Sequence, residues 1–148
     1  MSVENNVFMI RANMPTPEEW ASAIRSRGFE MELDSDFDVE EFEGFLPCKY
    51  KGEEAGFEYW SEPTCLEELV EEGLLNEDEK SVLGESDFLV TLATHSDFRD
   101  LITSMIASAV LVELSGGYLA EGGEPPFVHG ADAVQAVRKS LPAIEKEL

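Results

Sequence analysis

Residues 97–115 constrain the fold more than any other stretch of the chain. Phe98, Leu101, Ile102, Met105, Ile106, Ala109 and Val112 recur at spacings of three and four, the period of an α-helix. The positions between them are largely apolar as well, so this helix has almost no face that water can hold. It must sit at the centre of the domain with other elements covering it, and Gly116-Gly117 ends it. Ser108 and Glu113 interrupt its longest apolar run, around Met105 to Leu114, which excludes a membrane span. The beginning of the chain, Met1 to Asn6, carries no basic segment followed by an apolar run, and a cytoplasmic location is expected.

The elements around that helix follow from local signals. Val7 to Ala12 reads as a buried strand. Thr16, Pro17 and Glu19 form the capping-box signature of a helix that closes at Gly28. Phe29, Met31 and Leu33 alternate with Glu30 and Glu32, as in a strand with one wet face. A turn of acidic helix is expected from Asp38 to Glu43. Cys48 to Trp60 reads as a hairpin with arms Cys48 to Lys51 and Gly56 to Trp60 around a loop at 52–55. Thr64 and Glu67 form a second capping-box signature, with Leu66, Leu69, Val70 and Leu74 on one helical face. Strands are expected at Phe88 to Ala93 and Tyr118 to Ala120, with a loop from Gly122 to Pro126 between the latter and a closing helix, Asp132 to Leu148, that Pro142 kinks or breaks. This order predicts a single α+β domain over residues 1–148, a mostly antiparallel sheet packed against helices on one side.

Composition bears on function through charge. Ten Lys and Arg face 32 Asp and Glu, a formal charge of −22, yet 43% of the 148 residues are hydrophobic, enough to build a core. The charge is segregated. Met1 to Phe29 is net zero and Phe88 to Leu148 net −4, whereas Glu30 to Asp87 holds 21 acids against Lys49, Lys51 and Lys80, net −18. Concentrating one sign costs stability through self-repulsion, so it points to a use. Such a surface excludes direct binding to nucleic acid or anionic membrane and selects basic partners. The candidate partner-binding residues are Asp34, Asp36, Asp38, Glu40, Glu41 and Glu43 in one run, and Glu67, Glu68, Glu71 and Glu72 on one side of a helix.

Motifs for other chemistry are incomplete. Asp34, Asp36 and Asp38 have the opening spacing of a calcium loop, but Val39 stands where that loop needs glycine and Phe45 where it needs glutamate. Cys48, Cys65, His95 and His129 lack zinc-ligand spacing, and the two cysteines are expected as free thiols. No nucleophile elbow, phosphate loop or dinucleotide fingerprint is present, so neither cofactor nor metal is expected. His95 is placed to hydrogen-bond at the entrance of the central helix. Among carboxylates Glu58, between Phe57 and Tyr59 in an aromatic strand, is the one candidate for perturbation by burial. An enzymatic or ligand-binding alternative would use it as base, with Tyr59 or His95 beside a pocket lined by Phe57, Tyr59 or Trp60.

Gly44-Phe45-Leu46-Pro47, Gly56-Phe57-Glu58-Tyr59 and the apolar helix ending Leu114-Ser115-Gly116-Gly117-Tyr118 together give the chain a family resemblance. It resembles small acidic bacterial immunity proteins, in particular those encoded beside type VI secretion effectors. The resemblance implies a cytoplasmic protein that binds a toxin domain and blocks its active site or substrate groove, with no catalytic residues to carry over. The charge adds that an acidic surface can occupy the basic groove of a nuclease as a phosphate mimic. A regulator that mimics DNA toward a host DNA-binding protein would share that surface and differ only in partner.

Overall fold

Alternation along the first strand, β1 (Val3–Met9), sorts the molecule into two layers. Asn5, Val7 and Met9 point to one side of the sheet, where the central helix α4 (Phe98–Ser115) lies. Phe8 points to the other. The computed structural model describes residues 2–148. The remaining strands are β2 (Met31–Leu33), β3 (Gly44–Tyr50), β4 (Glu53–Pro63), β5 (Phe88–Thr94), β6 (Tyr118–Ala120) and β7 (Val128–His129). All neighbours pair antiparallel, in the order β2-β3-β4-β5-β1-β6-β7. The chain is one α+β domain.

Helices α1 (Pro17–Ser26) and α5 (Ala131–Glu145) join α4 in covering the first face. Ile102, Ile106, Val110 and Leu111 of α4 are completely buried among Trp20 and Ile24 of α1, Val137 of α5 and inward-facing strand residues. Two polar contacts set the position of α4. The Trp20 indole N–H donates to the Ala107 carbonyl at 3.0 Å, and the Asn5 amide donates to the Ser104 hydroxyl at 3.0 Å. The opposite face is covered by α2 (Leu66–Glu71) and α3 (Glu77–Leu83), whose Leu66 and Leu83 close over Phe8 and Ala120, with Leu69, Leu75, Leu89, Tyr118 and Phe127 packed around them. Helices therefore flank both faces instead of one, because Phe8 and Leu89 point away from α4 and need a cover of their own.

Several boundaries differ from the sequence reading. The first strand ends at Met9, and Ala12 falls in a single 3₁₀ turn, Arg11–Asn13. The Thr16–Glu19 box forms as expected, but β2 keeps only three residues. The hairpin turn is Lys51-Gly52, with both residues at positive φ (51° and 81°). This two-residue turn matches the strand twist and extends the arms to Tyr50 and Glu53. Thr64 does not cap α2; its N–H bonds the Asp87 carbonyl, and Cys65 takes the cap position without a side-chain hydrogen bond. The second capping box belongs to Asn76 and Glu79 and opens α3, while Leu74, 67% exposed, lies beyond α2. Within 122–126, expected as loop, a 3₁₀ turn covers Glu121–Gly123, and β7 pairs with β6 just beyond. Helix α5 continues through Pro142 as far as Glu145. Among the described residues no helix is long and apolar enough to cross a membrane.

Candidate functional site

The segment joining β2 to β3 carries six of the ten candidate acids, all exposed. It is ordered by the residues between them. Phe37 packs against Tyr59 with ring centroids 5.3 Å apart and Trp20 at 6.4 Å, and Phe42 packs against Tyr59 at 6.2 Å. The Val39 carbonyl accepts from the Tyr59 hydroxyl at 2.6 Å and from the Ser61 hydroxyl at 2.7 Å. With the Phe37 and Phe42 rings and the Val39 carbonyl held inward, Asp34, Asp36, Asp38, Glu40, Glu41 and Glu43 face solvent.

No helix forms here. The Asp38 carboxylate accepts the N–H groups of Glu40 (2.9 Å) and Glu41 (3.0 Å), which closes a turn and holds the Asp38 carboxyl below its ordinary range. The Asp34 carboxylate accepts the Asp36 N–H in the same manner. Among the described residues, only Glu40 of the six has a cation: Arg11 grips it with two guanidinium nitrogens, and that contact lowers the Glu40 pKa.

Glu67, Glu68, Glu71 and Glu72 are exposed on α2, as the helical spacing requires, and Glu67 meets Lys80 of α3 at 3.6 Å. The two acidic groups lie on opposite faces of the sheet, because the 34–43 segment packs on the Trp20 and Tyr59 side and α2 packs on the Phe8 side. A relay of hydrogen bonds connects them. Arg11, which holds Glu40, also donates its backbone N–H to the Asp87 carboxylate at 2.7 Å, and the Asp87 carbonyl accepts from Thr64, two residues before α2.

The arrangement the enzymatic alternative requires is not assembled. Glu58 and Tyr59 are consecutive on a strand and point to opposite faces: Tyr59 is buried under α4, and Glu58 is half-buried on the other side beside Phe45 and Ala93. Phe57 is core, so no pocket joins Phe57, Tyr59 and Glu58. His95 is exposed after β5, and Asp97, not His95, caps α4 by accepting from Arg99 and Asp100. His129 stacks on Tyr118 at 4.6 Å and its Nδ1 lies 2.8 Å from the Gly117 carbonyl, a local tie between β6 and β7. Cys48 and Cys65 are free thiols, and burial pushes the Cys48 thiol up, away from reactivity. Among the described residues no three His, Cys, Asp or Glu are grouped to hold a metal.

A concavity of about 580 Å³ lies elsewhere, across β2, β3 and β4 beside Pro47. Sequence reading missed it, although Pro47 and Gly56 each fall within the quoted motifs. Compared with protein-family models, curated proteins and solved structures, the chain matches none.

Proposed function

We propose that this is an immunity protein that binds a cognate bacterial toxin in the cytoplasm and neutralises it, the toxin being a nuclease whose basic groove receives the acidic surface. One observation carries the reading. The carboxylates of 34–43 stand on a segment anchored by two inward aromatic side chains and two hydroxyl contacts to the Val39 carbonyl, and among the described residues only one of the six has a protein cation. A solubilising face has no need of fixed geometry, whereas a phosphate mimic does, because preorganised charges avoid an ordering cost on binding. The field of a net −18 segment also speeds encounter with a basic surface and makes association salt-sensitive.

The test is co-expression with the nuclease-toxin domain encoded beside its gene. Rescue of growth and copurification support the reading. Continued killing with no complex would overturn it, as would capture from native lysate of a chromosomal DNA-binding protein in place of any toxin. Within a complex, reversing Asp34, Asp36, Glu40 and Glu41, or Glu67, Glu68, Glu71 and Glu72, separates the two groups. Exposed rim charges act on the association rate, while a carboxylate paired with a buried Arg or Lys costs about 2–5 kcal/mol when removed.

A further inference from the structure

The groove across β2, β3 and β4 opens on Phe45 and Pro47 of β3. Pro47 and Gly56 are cross-strand partners. Gly56 has no side chain, and none is possible: its φ is +157°, and a Cβ would lie 2.4 Å from the Leu46 carbonyl and 2.5 Å from the Phe45 ring. Phe45 instead lays its ring beside Gly56 while remaining 51% exposed. Helices α2 and α3 do not cover it, since they pack over Phe8 and Leu89 further along the sheet.

The groove is lined by acids as well as by this apolar floor. Glu32, Asp34, Glu54 and Asp100 contribute carboxylates, and Lys49 is the one cation. Lys49 sits in register between Glu32 and Glu54, so no cation lining the groove stands across from Asp34, and Asp100 has only the neighbouring Arg99 near it. Asp100 comes from the first turn of α4 and accepts the Gly56 N–H at 3.1 Å, at the point where β5 has ended and no strand neighbour takes that group. Its pKa is raised by burial, so a cation seated beside it would relieve a cost already present in the free protein.

We propose that this groove is the anchor site for an arginine side chain of the basic protein partner, its guanidinium plane resting on Phe45 and its N–H groups directed to Asp34 and Asp100. The inference rests on the inhibitor reading for the nature of the partner and adds Phe45 and Asp100, which neither acidic group above contains, to Asp34 of the first. The chemistry selects guanidinium: a planar cation gains from an exposed aromatic face and supplies a fork of donors to carboxylates, whereas an ammonium does neither as well. A buried arginine in a pocket beside an aromatic ring is also the usual form of an interface hot spot.

The test is a two-dimensional ¹H–¹⁵N NMR titration with N-acetyl-arginine amide, its uncharged citrulline counterpart and spermidine, on the wild type, Phe45→Ser and Asp100→Asn. Phe45 is exposed and Asn retains an acceptor for the Gly56 N–H, so both variants should fold. The expected result is shifts confined to 32–34, 45–49, 54–56 and 100 with the arginine probe, little response to citrulline or spermidine, and affinity reduced by about two- to tenfold in each variant. Shifts spread equally over 67–72, equal response to spermidine, or affinity unchanged in both variants would overturn the proposal. In the toxin complex the same variants should speed dissociation. A complex that forms and is indifferent to both variants overturns the anchor alone, whereas absence of any toxin complex overturns the inhibitor reading and leaves the titration to decide the groove.

Discussion

The hydroxyl of Tyr59 on β4 donates to the carbonyl of Val39, 2.6 Å away in the segment between β2 and β3, and so ties the exposed carboxylates of that segment to the core of the domain. The Ser61 hydroxyl reaches the same oxygen from the next inward position of the strand. Because the carbonyl has two donors, Tyr59→Phe should cost only about 1 kcal/mol in urea unfolding. Removing both hydroxyls, with Ser61→Ala added, should cost more and speed amide exchange over 38–43 selectively. Exchange in that segment matching wild type in the double variant would show that Phe37 and Phe42 alone order it.

A second prediction concerns the seat of the central helix. Ser104→Ala leaves the buried Asn5 amide without its acceptor on α4, which should cost about 1–3 kcal/mol by chemical denaturation. Replacing both partners, Asn5→Leu with Ser104→Ala, should recover less than the hydroxyl loss alone suggests, since the Asn5 side-chain Oδ1 also accepts the Gly122 N–H at 3.2 Å. A double variant more stable than Ser104→Ala would place the value of Asn5 in its contact with α4 only.

Acid should expose the role of Asp38. Its folded pKa is depressed below the ordinary 3.8 by the Glu40 and Glu41 N–H groups, so its contribution is complete above that value and is lost as pH falls through the folded pKa. Asp38→Asn should therefore be less stable than wild type at pH 7, with the difference shrinking toward zero in strong acid. Unfolding curves at neutral and acid pH check this, and a difference independent of pH would mean that the turn depends on the oxygen acceptor and not on its charge.

Proline in the last turns of α5 offers a gain. Pro142 lies inside the helix, where it cannot donate to the Arg138 carbonyl, so Pro142→Ala should stabilise the domain by about 1–3 kcal/mol. The Arg138 guanidinium, which donates to the Arg27 carbonyl at 2.6 Å and lies over Phe29 at 5.3 Å, should be undisturbed. Thermal unfolding measures the gain, and a lower midpoint would show that the ring fits a local bend the helix needs.

What the sequence determined alone is what a few neighbouring residues settle. The Thr16–Glu19 capping box is complete within four residues, and the helix of 98–115 is apolar on so many sides that only an enclosed position satisfies it. Helical spacing placed Glu67, Glu68, Glu71 and Glu72 outward. Tertiary structure decided the rest, because each remaining outcome depends on partners distant in the chain. Thr64 lost its cap role to a hydrogen bond with Asp87, and the acids of 34–43 became a fixed array only when Phe37, Val39 and Phe42 found Trp20, Tyr59 and Ser61. The groove at Gly56 required β5 to stop one residue past Ala93 and Asp100 to arrive from the next helix. Periodicity records which way a side chain points; it carries no information about which distant residue will be there to meet it.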